Sequence, residues 1–148
     1  MSDSIGVTIL REGAAVPQRQ TSGSFGYDIA TVQREEIGPR DTRVVPSGLQ
    51  LADDLPTGID CLAMLILPRS SLPLKYGLIL PNSPGLIDAD FSEEIGIIVH
   101  NLTDEVVVLE PGTRIAQALF VRVALPALRE TTPNSARGRG GFGSTGAQ

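Results

Sequence analysis

One cysteine, one histidine and one lysine occur in 148 residues, and each scarcity removes a class of chemistry. The single Cys61 excludes an internal disulfide and any cysteine-built zinc cluster, and suits a reducing compartment. The single His100 is the one candidate for Ser-His-Asp or Cys-His catalysis, and it ends the apolar run IGIIVH, where a structural or surface role is expected. There is no HxxxH, EF-hand loop or cysteine pair to hold a metal by protein ligands alone. No run of eighteen apolar residues occurs, and MSDSIGVTIL lacks the pattern of a secretory signal, so a cytoplasmic protein with no membrane partner is expected. A net charge of -5 disfavours a non-specific grip on nucleic acid, and no nucleic-acid partner is expected.

What is abundant is glycine, with 16 residues, and proline, with 11, which together predict many turns and little helix. The length suits one core. Eleven of the twelve basic residues are arginine, whose planar fork matches phosphate oxygens in pairs. A small anionic ligand is therefore open.

Short apolar or alternating segments recur between turn residues, at about 5–10, 27–31, 42–45, 48–51, 60–67, 78–80, 94–100, 106–109 and 114–123. This spacing predicts an all-β sandwich or barrel. In RIAQALFVRV, period two groups Ile115, Gln117, Leu119, Val121 and Val123 on one face and Arg114, Ala116, Ala118, Phe120 and Arg122 on the other. Gln117 is then the one polar side chain on its face, to be satisfied by backbone or to point into a polar site. The one expected helix, 69–75, is limited by Pro73 to about one turn or to irregular structure. Alternation stops after Val123, which divides the chain into a β domain, 1–123, and an arm with a glycine-rich end, 124–148.

Two stretches carry polar groups in suggestive order. In NSPGLIDADFSEEIG a tight turn leads into a few strand residues, with Asp88 and Asp90 on one side and Ala89 on the other; a solvated turn and a two-acid site both fit. In PRSSL an arginine and two hydroxyls open a possible helical turn, which fits either a phosphate seat or a plain N-cap by Ser70 or Ser71.

Together SFGYDIA (24–30), PRSSL (68–72), NSPGLIDADF (82–91), PGTRIAQALF (111–120) and RGRGGFGSTG (137–146) resemble, in order and approximate spacing, the five motifs of the homotrimeric all-β dUTP diphosphatases. The resemblance implies a distorted jelly-roll of short strands, a homotrimer with shared active sites, and hydrolysis of dUTP to dUMP and pyrophosphate with Mg2+ as cofactor. Such an activity keeps uracil out of DNA and supplies dUMP. It further implies Asp88 as the general base for water attacking the α-phosphorus, Arg69, Ser70 and Ser71 on phosphate, and Asn82 with Gly85 and Ile87 around uracil. Phe91 takes the place of a usual tyrosine under the deoxyribose, and Gln117 contacts the α-phosphate and attacking water. Asp28 touches magnesium through its bound water, Arg137 clamps the γ-phosphate, Phe142 stacks on uracil, and Gly143, Ser144 and Thr145 approach phosphate in a C-terminal lid. An aspartate is ionised at neutral pH but is a weak base, so positioning must carry much of the rate.

Two departures stand out: Ser71 where the family usually has glycine, and Glu93 where glycine follows the FS equivalent, which puts the backbone of that bend in question. A related deaminase of dCTP shares an RSS segment, but its catalytic glutamate has no counterpart in IGIIV. A binding protein that had lost turnover should show gaps in the motifs, and none is present.

Overall fold

In GIIVHN every second residue is buried: Ile97, Val99 and Asn101 point inward while Gly96, Ile98 and His100 are half-exposed. This alternation, repeated in short pieces, builds the molecule. A computed structural model describes residues 4–52, 55–57 and 61–131, with eleven strands and one helix among them.

The strands are β1 (Val7–Ile9), β2 (Tyr27–Ala30), β3 (Glu35–Ile37), β4 (Thr42–Pro46), β5 (Leu49–Leu51) and β6 (Leu62–Pro68). After the helix α1 (Ser71–Tyr76) come β7 (Leu78–Ile79), β8 (Gly85–Ile87), β9 (Gly96–Asn101), β10 (Val107–Leu109) and β11 (Arg114–Arg122). They form antiparallel sheets in the orders β2-β11-β6-β8, β4-β9-β7, β1-β5 and β10-β3. One core cluster joins all four sheets, including Ile29, Ile37, Val45, Leu49, Ile66, Val99, Leu109 and Ile115. The expected distorted jelly-roll of short strands is what forms.

β3 has no counterpart among the expected segments, because EEI carries one apolar residue. Ile37 is fully buried, and pairing with β10 makes the strand. β11 also departs from strict period two. A bulge between Arg114 and Ala116 against β2 lets both Ile115 and Ala116 enter the core, after which Ala118 is buried and Phe120 packs on the core. Gln117, Leu119 and Val121 share the opposite face, so Ile115 does not belong with them.

The helix holds Pro73 in its first turn, where a missing N–H breaks no helical bond. Leu72, fully buried, anchors it. Gly77 ends it at φ 65°, its N–H reaching back to Pro73 O at 3.1 Å. Ser70 occupies the N-cap position in right-handed helical conformation, with no side-chain capping bond, so the simple N-cap alternative fails and its hydroxyl is not engaged by the helix.

His100 accepts the expected structural role: its Nδ1 lies 2.9 Å from Thr42 Oγ1 across the β4–β9 pair. Beside it, Asn101 is buried completely, its Nδ2 donating to the carbonyls of Ile37, Gly38 and Glu105 and its Oδ1 accepting from Thr103.

Candidate active site

Gln117 lies at the centre of the arrangement. On β11 it stands opposite Asp28 of β2 on one side and Leu67 of β6 on the other, and β6 runs out one residue later into Arg69 and Ser70. The pairing of three strands thus brings a carboxylate, an amide, a guanidinium and a hydroxyl to one place. Asp28, Arg69, Ser70 and Gln117 line a cavity of about 310 Å3, with Gly26 and Phe25 at its wall. Phe25 is 82% exposed, although an aromatic ring of that size is ordinarily covered.

The Gln117 amide nitrogen is bound by backbone while the side chain still lines the cavity: Nε2 donates to Pro68 O at 3.0 Å, and Oε1 lies against Gly26. Asp28 is 7% exposed and holds two cations. One oxygen pairs with Arg69 Nη1, the other accepts from Arg114 Nη1 at 3.1 Å. Arg114 was not expected to take part; its signal was its place three residues before Gln117. Arg69 Nε is buried with no hydrogen-bond partner among the described residues. On the other side of Arg69 a second cavity, about 370 Å3, is lined by Ser71, Lys75, Tyr76, Thr113 and Arg114.

The other expected residues gather elsewhere. Asn82, Gly85, Ile87, Asp88 and Phe91 all belong to β8 and its flanking turns, with Asp88 and Asp90 exposed and Ala89 packed on the core. Gly85 is buried beside Asn82: a Cβ there would lie 3.2 Å from Asn82 Nδ2 and 3.5 Å from Ile66 Cβ. Phe91 also packs partly on the core, and its N–H meets Asp88 O at 3.2 Å, closing the bend.

That bend is tied down by Glu94. Its carboxylate accepts both Arg11 Nε and Nη2 at 2.7 Å and the Gly48 N–H at 2.8 Å. The Arg11 hydrogen bond, the Gly48 N–H and the Arg11 charge hold the Glu94 carboxyl below the usual carboxylate range, against the opposing effect of burial. Glu93 needs no glycine-like conformation, since Arg40 is the one non-glycine with positive φ among the described residues. Arg137, Phe142, Gly143, Ser144 and Thr145 lie outside the described residues.

Two halves therefore exist on one sheet. In the order β2-β11-β6-β8 the Asp28 edge and the Asp88 edge are three inter-strand spacings apart, roughly 14 Å.

Fold and site define an all-β protein with a polar cavity holding an arginine–aspartate pair at one sheet edge and an acid-bearing hairpin at the other. Comparison with known proteins narrows this class. Residues 12–146 match the family model described as dUTPase. The chain is 38% identical to the deoxyuridine 5'-triphosphate nucleotidohydrolase of Treponema denticola, over 94% of this chain and 96% of that one. Its identity to the Wolinella succinogenes enzyme of the same name is 40%, over 93% and 90%. A Staphylococcus bacteriophage 80alpha dUTPase variant solved with dUpNHpp superposes with a TM-score of 0.82 at 25% identity, covering 99% of this chain and 100% of that one. The chain belongs to the dUTPase family.

Proposed function

We propose that the chain is a dUTP diphosphatase that hydrolyses dUTP to dUMP and pyrophosphate. The observation that carries this reading is the convergence of Asp28, Arg69, Ser70 and Gln117 on one cavity, with the Ser70 hydroxyl free of any capping bond. Arg69 and Ser70 bind the phosphates, with the Ser71 hydroxyl next to them in the chain and Arg114 adding a second cation beside Asp28. Asn82, with Gly85 and Ile87, reads uracil on the β8 hairpin, while Phe91 lies under the sugar.

In the reaction the oxygen of a water attacks the α-phosphorus in line, and Asp88 accepts its proton. The bond from the α-phosphorus to its bridging oxygen breaks and pyrophosphate leaves with the bonding pair. Charge growing on that bridge is met by the Ser70 hydroxyl and Arg69, while Gln117 orients the water. Arg137, Phe142, Gly143, Ser144 and Thr145 complete the phosphate and base contacts.

Among the described residues no three His, Cys, Asp or Glu side chains come together as metal ligands. Asp28 gives one oxygen to each of two arginines, which leaves lone pairs for a metal-bound water but no cage. These residues fit a magnesium ion carried by the triphosphate, with Asp28 in contact through water. Magnesium so bound supplies neutralisation of phosphate charge.

The separation of the two halves supports a homotrimer in which one copy's hairpin meets another's cavity. The outward face of the large sheet supports it too: Leu65, Leu67, Leu119 and Val121 are only half-buried, and Leu86 is 62% exposed. No helix among the described residues is long and apolar enough to cross a membrane. Action on cytoplasmic nucleotides follows from this reading. Incubation with dUTP, dCTP, dTTP and UTP tests the function: pyrophosphate from dUTP is expected, and deamination of dCTP or no pyrophosphate from dUTP would overturn it.

A further inference from the structure

We infer that Gly26 is a positioning residue whose missing side chain holds the Gln117 amide in place for turnover. This rests on the reading of Gln117 as the amide that orients the attacking water. Three observations meet here. A Cβ on Gly26 would lie 2.2 Å from Gln117 Oε1, 3.0 Å from Cδ and 3.2 Å from Cβ, and no other residue's atoms are among its three nearest neighbours. Gly26 is not among the described glycines with positive φ, so its backbone would accept an ordinary side chain. What excludes that side chain is therefore the Gln117 amide and not backbone strain.

The backbone cannot simply yield. Tyr27, next in the chain, meets the Phe120 ring edge-on at 5.9 Å and 81°, and stands opposite Ala118 in register. Asp28 N–H is held by Gln18 O at 3.0 Å. On its far side the amide is held by Pro68 O at 3.0 Å. Gln117 thus sits in a slot between Gly26 and Pro68. An added methyl displaces the flexible end of the glutamine, the part that reaches the cavity, while its 3.2 Å approach to Gln117 Cβ asks only a slight adjustment of the strands. Folding should change little and turnover much, because displacement of a site group by about 1 Å can cost on the order of 10²-fold in rate.

The test compares the full chain with Gly26→Ala, Gln117→Ala and the double variant, reading kcat and KM for dUTP, melting midpoint, and the Gln117 side-chain amide signals by 15N NMR, assigned by their loss in Gln117→Ala. Gly26→Ala is expected to shift the amide signals and lower kcat about 10²-fold, with KM and melting midpoint little changed. Introduced into the Gln117→Ala chain, the same substitution should change kcat by no more than about twofold, since the clashing Cδ and Oε1 are gone and only the milder 3.2 Å approach to Cβ is left. Unmoved amide signals, or an equal loss in both backgrounds, would overturn the inference. A Gly26→Ala chain that fails to fold, while the double variant folds, would locate the conflict at Gln117; failure of both to fold would overturn it. If Gln117→Ala turns over like the parent while the amide signals shift in Gly26→Ala, the slot stands, and the catalytic reading of Gln117 falls together with Gly26's part in turnover.

Discussion

Asp28→Asn separates two tasks that the same carboxylate could perform. Asp28 is 7% exposed between Arg69, at 25%, and Arg114, at 47%. The asparagine keeps the volume but turns an N–H toward one guanidinium and leaves two cations facing each other without a counter-charge. A charge-assisted hydrogen bond contributes about 1.5–3 kcal/mol, and the more exposed Arg114 pair less than about 1 kcal/mol. The loss should be about 2–3 kcal/mol after the retained amide contact is allowed for. For a chain of this length that corresponds to a melting midpoint about 5–10 °C lower, measured at fixed protein concentration. Turnover should fall and KM for dUTP should rise, because Arg69 loses the partner that aims it. If Asp28 served magnesium alone, the variant would need more magnesium but melt like the parent. A midpoint within about 1 °C of the parent's, well inside the expected 5–10 °C, would refute the argument that Asp28 anchors Arg69.

Asp88→Asn should keep the fold, since Asp88 is exposed at the end of β8, and lose on the order of 10²–10⁴ in kcat, as removal of a general base typically does; near-normal turnover would remove Asp88 from that role. For Glu94 the folded pKa lies below the unfolded one, so its contribution is present above about pH 4.5 and is lost as pH falls through the folded value. Glu94→Gln should therefore be less stable than the parent at pH 7, with the difference closing on acidification; denaturant melts across pH 3–7 that show a constant gap would contradict this. Removal of residues 137–148 should leave the core folded, because among the described residues the buried cluster lies within 29–118, and should cripple dUTP turnover; a fully active truncated chain would show that those residues are dispensable.

Much of the architecture was legible in local pattern. Period-two alternation and turn residues located nine of the eleven described strands and the Leu86-Ile87 pair within β8, and the short helix expected over 69–75 forms at Ser71–Tyr76. β3 was not legible because EEI has a single buried residue, and only β10 alongside makes it a strand. The bulge at Ile115 was equally hidden, since a strand's own sequence does not say where its partner slips. Five motifs in order named candidate site residues, but they did not show that Asp28 lies between Arg69 and Arg114, that Ser70 leaves its hydroxyl uncapped, or that Gly26 borders Gln117.

The sequence by itself determined residue chemistry and short-range periodicity: where most of the strands form, which groups can bind phosphate, and that one lone histidine and one lone cysteine leave little room for other catalysis. Tertiary structure decided adjacency. Residues 28, 69 and 117 become neighbours only because β2, β11 and β6 pair in that order, while the same sheet order holds Asp88 at the opposite edge. Spacing along a chain sets what a segment can form locally, whereas strand pairing between distant segments sets which side chains meet.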